Sequence, residues 1–436
     1  MAGATREAAM IERLWWRAGF GPRPRDLRGK RTHADLVHEF LHPRGATLEG
    51  PEPRVDGRPL SPANQYGQDV LWWLDRMVRG RHPLVERMTF NWHDHWATSN
   101  DKVGDVKLMM RQQRTLRRYA LGNFRTLARA MVRDGAMQIW LDLAGSSDEA
   151  PNENFAREFF ELFTLGANNG YTEKDIREAA RALTGFTFDY DSKRFGFDPK
   201  QHDGGTKHIL GRRGRFGPLD VVDLALENRH HAPYLCKQVW GYFSPRTPPP
   251  RLVKQLVSAY TQSGYEIAPV LSLILSDGAL YADLEEPDMI KPPVVYVAGM
   301  LRQTGTYITT DDWVWMLDQM GQRPFYPPNV SGWEQNEAWL STSALRMRFQ
   351  AAASLLHDAI EDGAIPADRS PEQALEHSRA YAGEPWTSKA TSSALASYSR
   401  LSVAGRDEKW EVKHYWPERE RVLRQVLLAG PDAQVC

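Results

Sequence analysis

Read for the spacing of its apolar positions, the chain is a succession of helices. Residues 6–18 set Ile11, Leu14, Trp15 and Ala18 on one face and stop at Gly19-Phe20-Gly21-Pro22, a glycine-proline boundary of the kind that ends helices. The same recurrence predicts a short helix near 32–42, then helices at about 64–79, 83–98, 104–120 and 123–143. Residues 43–60 are rich in Pro, Gly and Arg and keep no period, which predicts a mobile surface loop. Helical spacing resumes at about 218–228, 231–243, 249–263, 266–276, 289–303 and 311–320, and again at 342–361, 371–381, 388–402 and 416–429.

Only past Gly185 does the period alternate: Phe186, Phe188 and Tyr190, then Phe195 and Phe197, flank a polar Asp191-Ser192-Lys193 turn. That predicts a small inserted β-hairpin over about 186–200. The pattern as a whole predicts a mainly α, large multi-helix single-core fold. It makes 1–436 one helical domain, with 1–60 the candidate for an N-terminal subdomain ending in a mobile loop and the helices of 342–436 packed on the core. No fixed-period repeat is present.

The stretch most loaded with chemistry is 152–166, NENFAREFFELFTLG. At about 100° per residue, Glu153, Asn154, Arg157, Glu158, Glu161 and Thr164 share one wedge, while Phe155, Ala156, Phe159, Phe160, Leu162 and Phe163 fill the rest. Such a helix is expected to be buried, with its polar wedge aimed at water, a partner or a ligand, because an unpaired buried carboxylate is too costly to keep ionised. Glu153, Arg157 and Glu161 also stand at i, i+4 and i+8. The wedge therefore reads equally as a solvated ladder of pairs worth a few tenths of a kcal/mol each. Gly166 closes the helix, Asn168-Asn169-Gly170 turns the chain, and Thr172 with Asp175 opens the next helix as a capping box.

The run NENFAREFFELFTLG, followed by GYTEKDIREAARALTGF, resembles the signature of a large bacterial family, domain of unknown function 1800. RAGFG at 17–21, ERMTFNWHDHWATS at 86–99, HDGGTKHILG at 202–211 and PPNVSGW…AWL at 327–340 resemble the same family in the same order. The resemblance covers nearly the whole chain and implies no established activity. It implies a partner as the alternative to catalysis, since such proteins are often encoded beside another uncharacterised family that resembles sulfatases and phosphatases. Relatives often carry histidine where this chain has Phe163, so no ligand role is carried to that position.

Composition narrows the picture. Lys+Arg of 55 offsets Asp+Glu of 55, so no global field recruits nucleic acid or an anionic membrane surface. No apolar run approaches the roughly 20 residues that span a bilayer, and the opening residues lack an apolar signal core. Cys236 and Cys436 support neither a disulfide framework nor a cysteine zinc site. The expectation is a cytoplasmic protein with no nucleic-acid or membrane partner.

Three segments hold the candidate chemistry. His93 and His95 stand between Trp92 and Trp96; at i and i+2 they diverge by about 200° on a helix and cannot share one ion unless the helix breaks. The bland reading makes one a hydrogen-bonded core residue and the other exposed. His202-Asp203 precedes two glycines, on a loop that can approach a ligand or simply form an Asx turn with a surface histidine. Gly332-Trp333 and Trp339 read as an aromatic wall for a sugar or peptide, or as core. Motifs of the GxxxxGK[ST], GxGxxG and GxSxG types are absent, which removes most nucleotide-dependent and serine-hydrolase chemistries.

The leading expectation is a metal-dependent enzyme. Glu158, Glu161, His93, His95 and His202 would bind a divalent iron, manganese or zinc ion, with Glu158, Glu161, Arg157 and Asp203 as catalytic residues facing one central cleft. The competing expectation is a non-catalytic helical scaffold or partner of a sulfatase- or phosphatase-like protein.

Overall fold

Side-chain caps start many helices close to where the spacing predicts them. Thr32 and Thr172 form capping boxes with Asp35 and Asp175, and Ser99, Asp105 and Asn123 accept from backbone N–H groups of the first turns that follow. The computed structural model describes residues 3–27, 29, 31–189, 194–361, 365–366, 368–406 and 408–436. The fold is mainly α: 57% of it is helical, in 20 helices among the described residues, with three small two-stranded antiparallel sheets.

One sheet is the expected hairpin, Phe186–Asp189 paired with Arg194–Phe197, where Phe188 stacks on Phe195 at 4.3 Å between ring centroids. Its expected turn, Asp191-Ser192-Lys193, and Tyr190 lie outside the described residues. Two further hairpins have no counterpart in the predicted elements: Arg54–Val55 with Arg58–Pro59, inside the expected loop, and Lys207–Ile209 with Arg212–Gly214. Both are too short to show a period.

Two departures from the expected helices have identifiable hydrogen-bonding causes. The run 123–143 is two helices, Phe124–Val132 and Gly135–Trp140. Asp134 breaks it by accepting from Met137 N–H at 3.0 Å and from Gln112 Nε2 at 2.8 Å. The organising stretch is α-helical over Glu153–Glu158 and then widens into a π-helix over Phe159–Thr164, with Thr164 Oγ1 donating to Phe159 O at 2.5 Å.

Apolar side chains gather in two clusters. Leu14, Met88, Trp92, Phe124, Phe159 and Phe163 belong to the first. Trp73, Phe90, Val294, Leu317, Trp333 and Leu423 belong to the second. The helix Pro83–His95 feeds both, since Met88 and Trp92 face one cluster and Phe90 the other. A polar stripe on this helix therefore lies along the seam between two cores. Among the described residues no helix is long and apolar enough to cross a membrane.

Candidate functional site

The expected ligands are placed first. His93 and His95 do diverge: the His93 ring lies against Trp73, Phe325 and Trp333, the His95 ring against Trp92, Trp96 and Phe163. Neither is exposed, and each is occupied. His93 Nε2 accepts from Phe325 N–H at 3.2 Å, and His95 Nε2 bonds Phe163 O at 3.0 Å. Burial pushes their pKa values down to about 3 and about 4, so both rings are neutral.

His95 has a definite structural task. The carbonyls that end the π-helix have no partners within it, and Tyr234 Oη, His95 and His231 bond the Leu162, Phe163 and Thr164 oxygens at 2.7, 3.0 and 2.8 Å. The aromatic reading of Trp333 and Trp339 goes to core: both are buried in the second cluster.

The wedge of the organising helix faces outward except at Thr164, which is buried. Arg157 pairs with Glu173 at 2.7 Å and Glu153 at 3.4 Å. Glu158 and Glu161 are half-buried beside it, and burial, followed by the Glu161 charge, raises the Glu158 pKa. His202 Nδ1 meets Thr184 O at 3.0 Å. Asp203 takes Arg181 at 2.6 and 3.2 Å and Gly205 N–H at 2.8 Å. Burial would raise the Asp203 pKa, but the Arg181 and Gly205 hydrogen bonds hold it below the usual carboxylate range.

Among the described residues no three His, Cys, Asp or Glu side chains stand together as ligands of one ion would. Five of the seven expected residues are spent on partners already present, namely His93, His95, Arg157, His202 and Asp203. The set Glu158, Glu161, His93, His95 and His202 is dispersed because each histidine answers a neighbouring backbone group.

The chemistry lies one residue from the expected pair. Arg87, Asn91 and Asp94, at i, i+4 and i+7 of the Pro83–His95 helix, line one side of a cleft on the seam. Tyr242, Gln322 and Gln335 face them across it, and Phe90, Met289 and Pro292 close it.

Asp94 is half-buried; its Oδ1 accepts from Trp333 N–H at 2.8 Å and its Oδ2 from Gln335 Nε2 at 3.3 Å. Burial raises its pKa to about 7 against the opposing pull of the Trp333 hydrogen bond. Gly332 makes that contact attainable. At φ +83° it tucks under Asp94, and a Cβ there would sit 2.3 Å from Asp94 Oδ1 and 2.8 Å from Asp94 O.

Arg87 is 2% exposed and, among the described residues, forms no ion pair. Its Nη1 reaches Gly19 O only at 3.4 Å, its Nε has no partner, and its guanidinium lies 5.9 Å from the Phe20 ring centroid. Burial lowers its pKa to about 10. Tyr242 is driven the other way: burial, followed by the Asp94 charge, raises its pKa well above the usual value and keeps its hydroxyl protonated. The cleft thus holds an unpaired cation, a carboxyl that changes charge near neutrality, a phenol donor and three amides.

None of these cleft residues is among the expected site residues. The Arg87, Asn91, Asp94 spacing was readable in the chain, whereas Tyr242, Gln322 and Gln335 reach the cleft from distant segments. Against known proteins, a family model described as "Protein of unknown function (DUF1800)" matches residues 13–435. No curated protein and no solved structure matches the chain.

Proposed function

The chain belongs to the family described as protein of unknown function DUF1800, and from its own residues we propose that it is an acid–base catalyst acting on a small organic acid in the Asp94 cleft. The observation that carries this reading is the cleft itself, where the buried Arg87 forms no ion pair among the described residues and Asp94 stands seven residues along the same face. A buried guanidinium without a carboxylate is costly. A substrate's acid group would remove that cost and would be held by the planar fork of donors.

Asp94 then takes a proton from an atom beside the acid group and returns it to the same or the adjacent atom. A carboxyl with a pKa of about 7 is present in both forms at neutral pH, which suits both halves of the transfer. Tyr242 and the cleft amides donate to the negative charge that develops between the two steps. The seam between two cores supports the reading, since binding clefts favour such junctions.

This reading keeps catalysis, as expected from the sequence, but places it away from Glu158, Glu161 and His202. A metal-dependent reaction through the expected set lacks a cluster of ligands among the described residues. The scaffold reading suits the outer Arg157 ladder and gives no role to the buried Arg87.

The test uses pools of small carboxylates and phosphate monoesters in D2O, followed by proton NMR for exchange or turnover. At least one compound exchanges a C–H with the wild-type chain. Asp94→Asn slows it by about 100-fold or more, in line with the loss of a general base, and Arg87→Met weakens binding by at least about tenfold. Exchange that survives Asp94→Asn, or pools with no compound bound, would overturn the proposal.

A further inference from the structure

The 287–292 segment separates two cavities. Met289 and Pro292 belong to the Asp94 cleft, whereas Pro287 and Lys291 line a larger and more apolar pocket on the other side. Its walls are Trp16, Trp386, Met300, Leu427 and Leu428, drawn from the helices Gly3–Arg17, Pro293–Thr304 and Lys409–Ala429 and from the stretch before residue 389. We propose that this pocket binds an amphipathic monocarboxylic acid, with its apolar body between the two tryptophans and its carboxylate on Lys291. This site is independent of the Asp94 reading and stands if that reading fails.

Three observations carry it. Lys291 is 6% exposed and, among the described residues, forms no ion pair; its Nζ donates to Ala433 O at 2.9 Å and lies 3.7 Å from the Trp16 ring centroid. Opposing charges on the same wall, Glu12 and Asp432 among them, act on the ammonium without reaching ion-pair distance, which leaves room for a closer acid group in a place where water is scarce. Arg13, on the same wall, also forms no ion pair among the described residues and spends its donors on the carbonyls of Leu280, Ala282 and Asp283. It adds a second positive charge to the wall.

The side-chain carboxyls on the wall, Glu12 and Asp432, form no ion pair with these cations among the described residues. Glu12 accepts from Trp386 N–H at 3.3 Å, and burial raises its pKa against the pull of that hydrogen bond and of the Lys291 charge. Asp432 is engaged by Ser388 N–H at 2.7 Å. An apolar body therefore meets apolar walls, and an acid head meets the Lys291 ammonium on a wall that also carries Arg13. This is the mostly apolar pocket with a few convergent polar groups that small ligands favour.

Octanoate, octan-1-ol and octylamine are the probes, each titrated into the full chain below its aggregation threshold by calorimetry and by quenching of tryptophan emission. Octanoate binds at least about tenfold more tightly than octan-1-ol, and octylamine binds more weakly than either. Lys291→Gln removes the advantage of octanoate over the alcohol, Leu428→Trp abolishes binding of both, and Asp94→Asn changes neither. The three-probe ranking on the unaltered chain stands even if a variant fails to fold. Equal binding of acid and alcohol, preference for the amine, survival of binding in a folded Leu428→Trp variant, or no binding of octanoate would each overturn the proposal.

Discussion

The outer face of the Glu153–Glu158 helix and the cleft face of the Pro83–His95 helix carry the same kinds of residue at helical spacing, an arginine with at least one carboxylate within two turns. Their surroundings are opposite. Arg157 is half-exposed and pairs with two carboxylates, and its hydrogen bonds to Glu173 raise its pKa. Arg87 is buried and, among the described residues, has no carboxylate partner, and burial lowers its pKa. Pairing on a wet surface is cheap stitching; a charge left unpaired out of water asks for a ligand. Pairing and burial, which spacing does not report, separate a structural wedge from a site.

The largest expected effect breaks the cleft through its backbone. Gly332→Ala sets a side chain against Asp94 at a positive φ and should cost about 3–5 kcal/mol in urea unfolding. A cost below about 1 kcal/mol would mean that the loop carrying Trp333 N–H is not fixed against Asp94.

The next effect sharpens the contrast through pH. The Asp94 pKa is raised from 3.8 to about 7, so its contribution to stability is fully present below about pH 4 and lost as pH rises through 7. The shift sets a ceiling on the order of 4 kcal/mol. Because the carboxyl is half-buried, Asp94→Asn should be more stable than wild type by about 2 kcal/mol at pH 8, with no gain at pH 4. His93, His95 and His231 run the other way, since burial depresses all three pKa values, to about 3, 4 and 4. Their contribution is present above about pH 6.5 and lost as pH falls, so the Asp94 effect is read from the difference between variant and wild type, not from either curve. A gain that does not depend on pH would contradict the assignment.

Arg87→Met should leave stability unchanged or raise it by about 1 kcal/mol, because the side chain replaced forms no ion pair among the described residues that its loss would strand. A loss of 3–5 kcal/mol would make Arg87 a structural tie. The smallest effect belongs to the other helix: Arg157→Leu should change stability by less than about 1 kcal/mol, and less still at 1 M salt. A larger, salt-insensitive loss would remove the distinction between the two regions.

Much of the fold was legible because apolar spacing and caps are local. The 342–361 and 371–381 boundaries match the helices Thr342–Glu361 and Pro371–Tyr381, and the capping box at Thr172 is present as read. The reading failed where a distant partner or an exception to a local rule decided the outcome. Asp134 breaks the 123–143 run with help from Gln112, and the last helix, Lys409–Ala429, runs through Pro417 instead of starting near 416.

The same limit governed the site. His93 and His95 drew attention as ligand types, yet their tasks are set by Phe325 N–H and Phe163 O, which are remote in sequence. Asp94 between them was visible as the third member of an i, i+4, i+7 stripe. That the stripe lies on a seam between two cores follows only from packing.

The account turns on whether Asp94 is a carboxyl poised near neutrality. Carbon-13 NMR of side-chain-labelled aspartate, titrated from pH 3 to 9 in wild type and in Asp94→Asn, measures this directly. Asp134, raised to about 6 by burial, should appear in both samples. One further carboxyl titrating near 7 should be present in the wild type and absent from the variant. A wild-type spectrum in which the resonance removed by Asp94→Asn titrates below about pH 5, as an ordinary aspartate does, would contradict it.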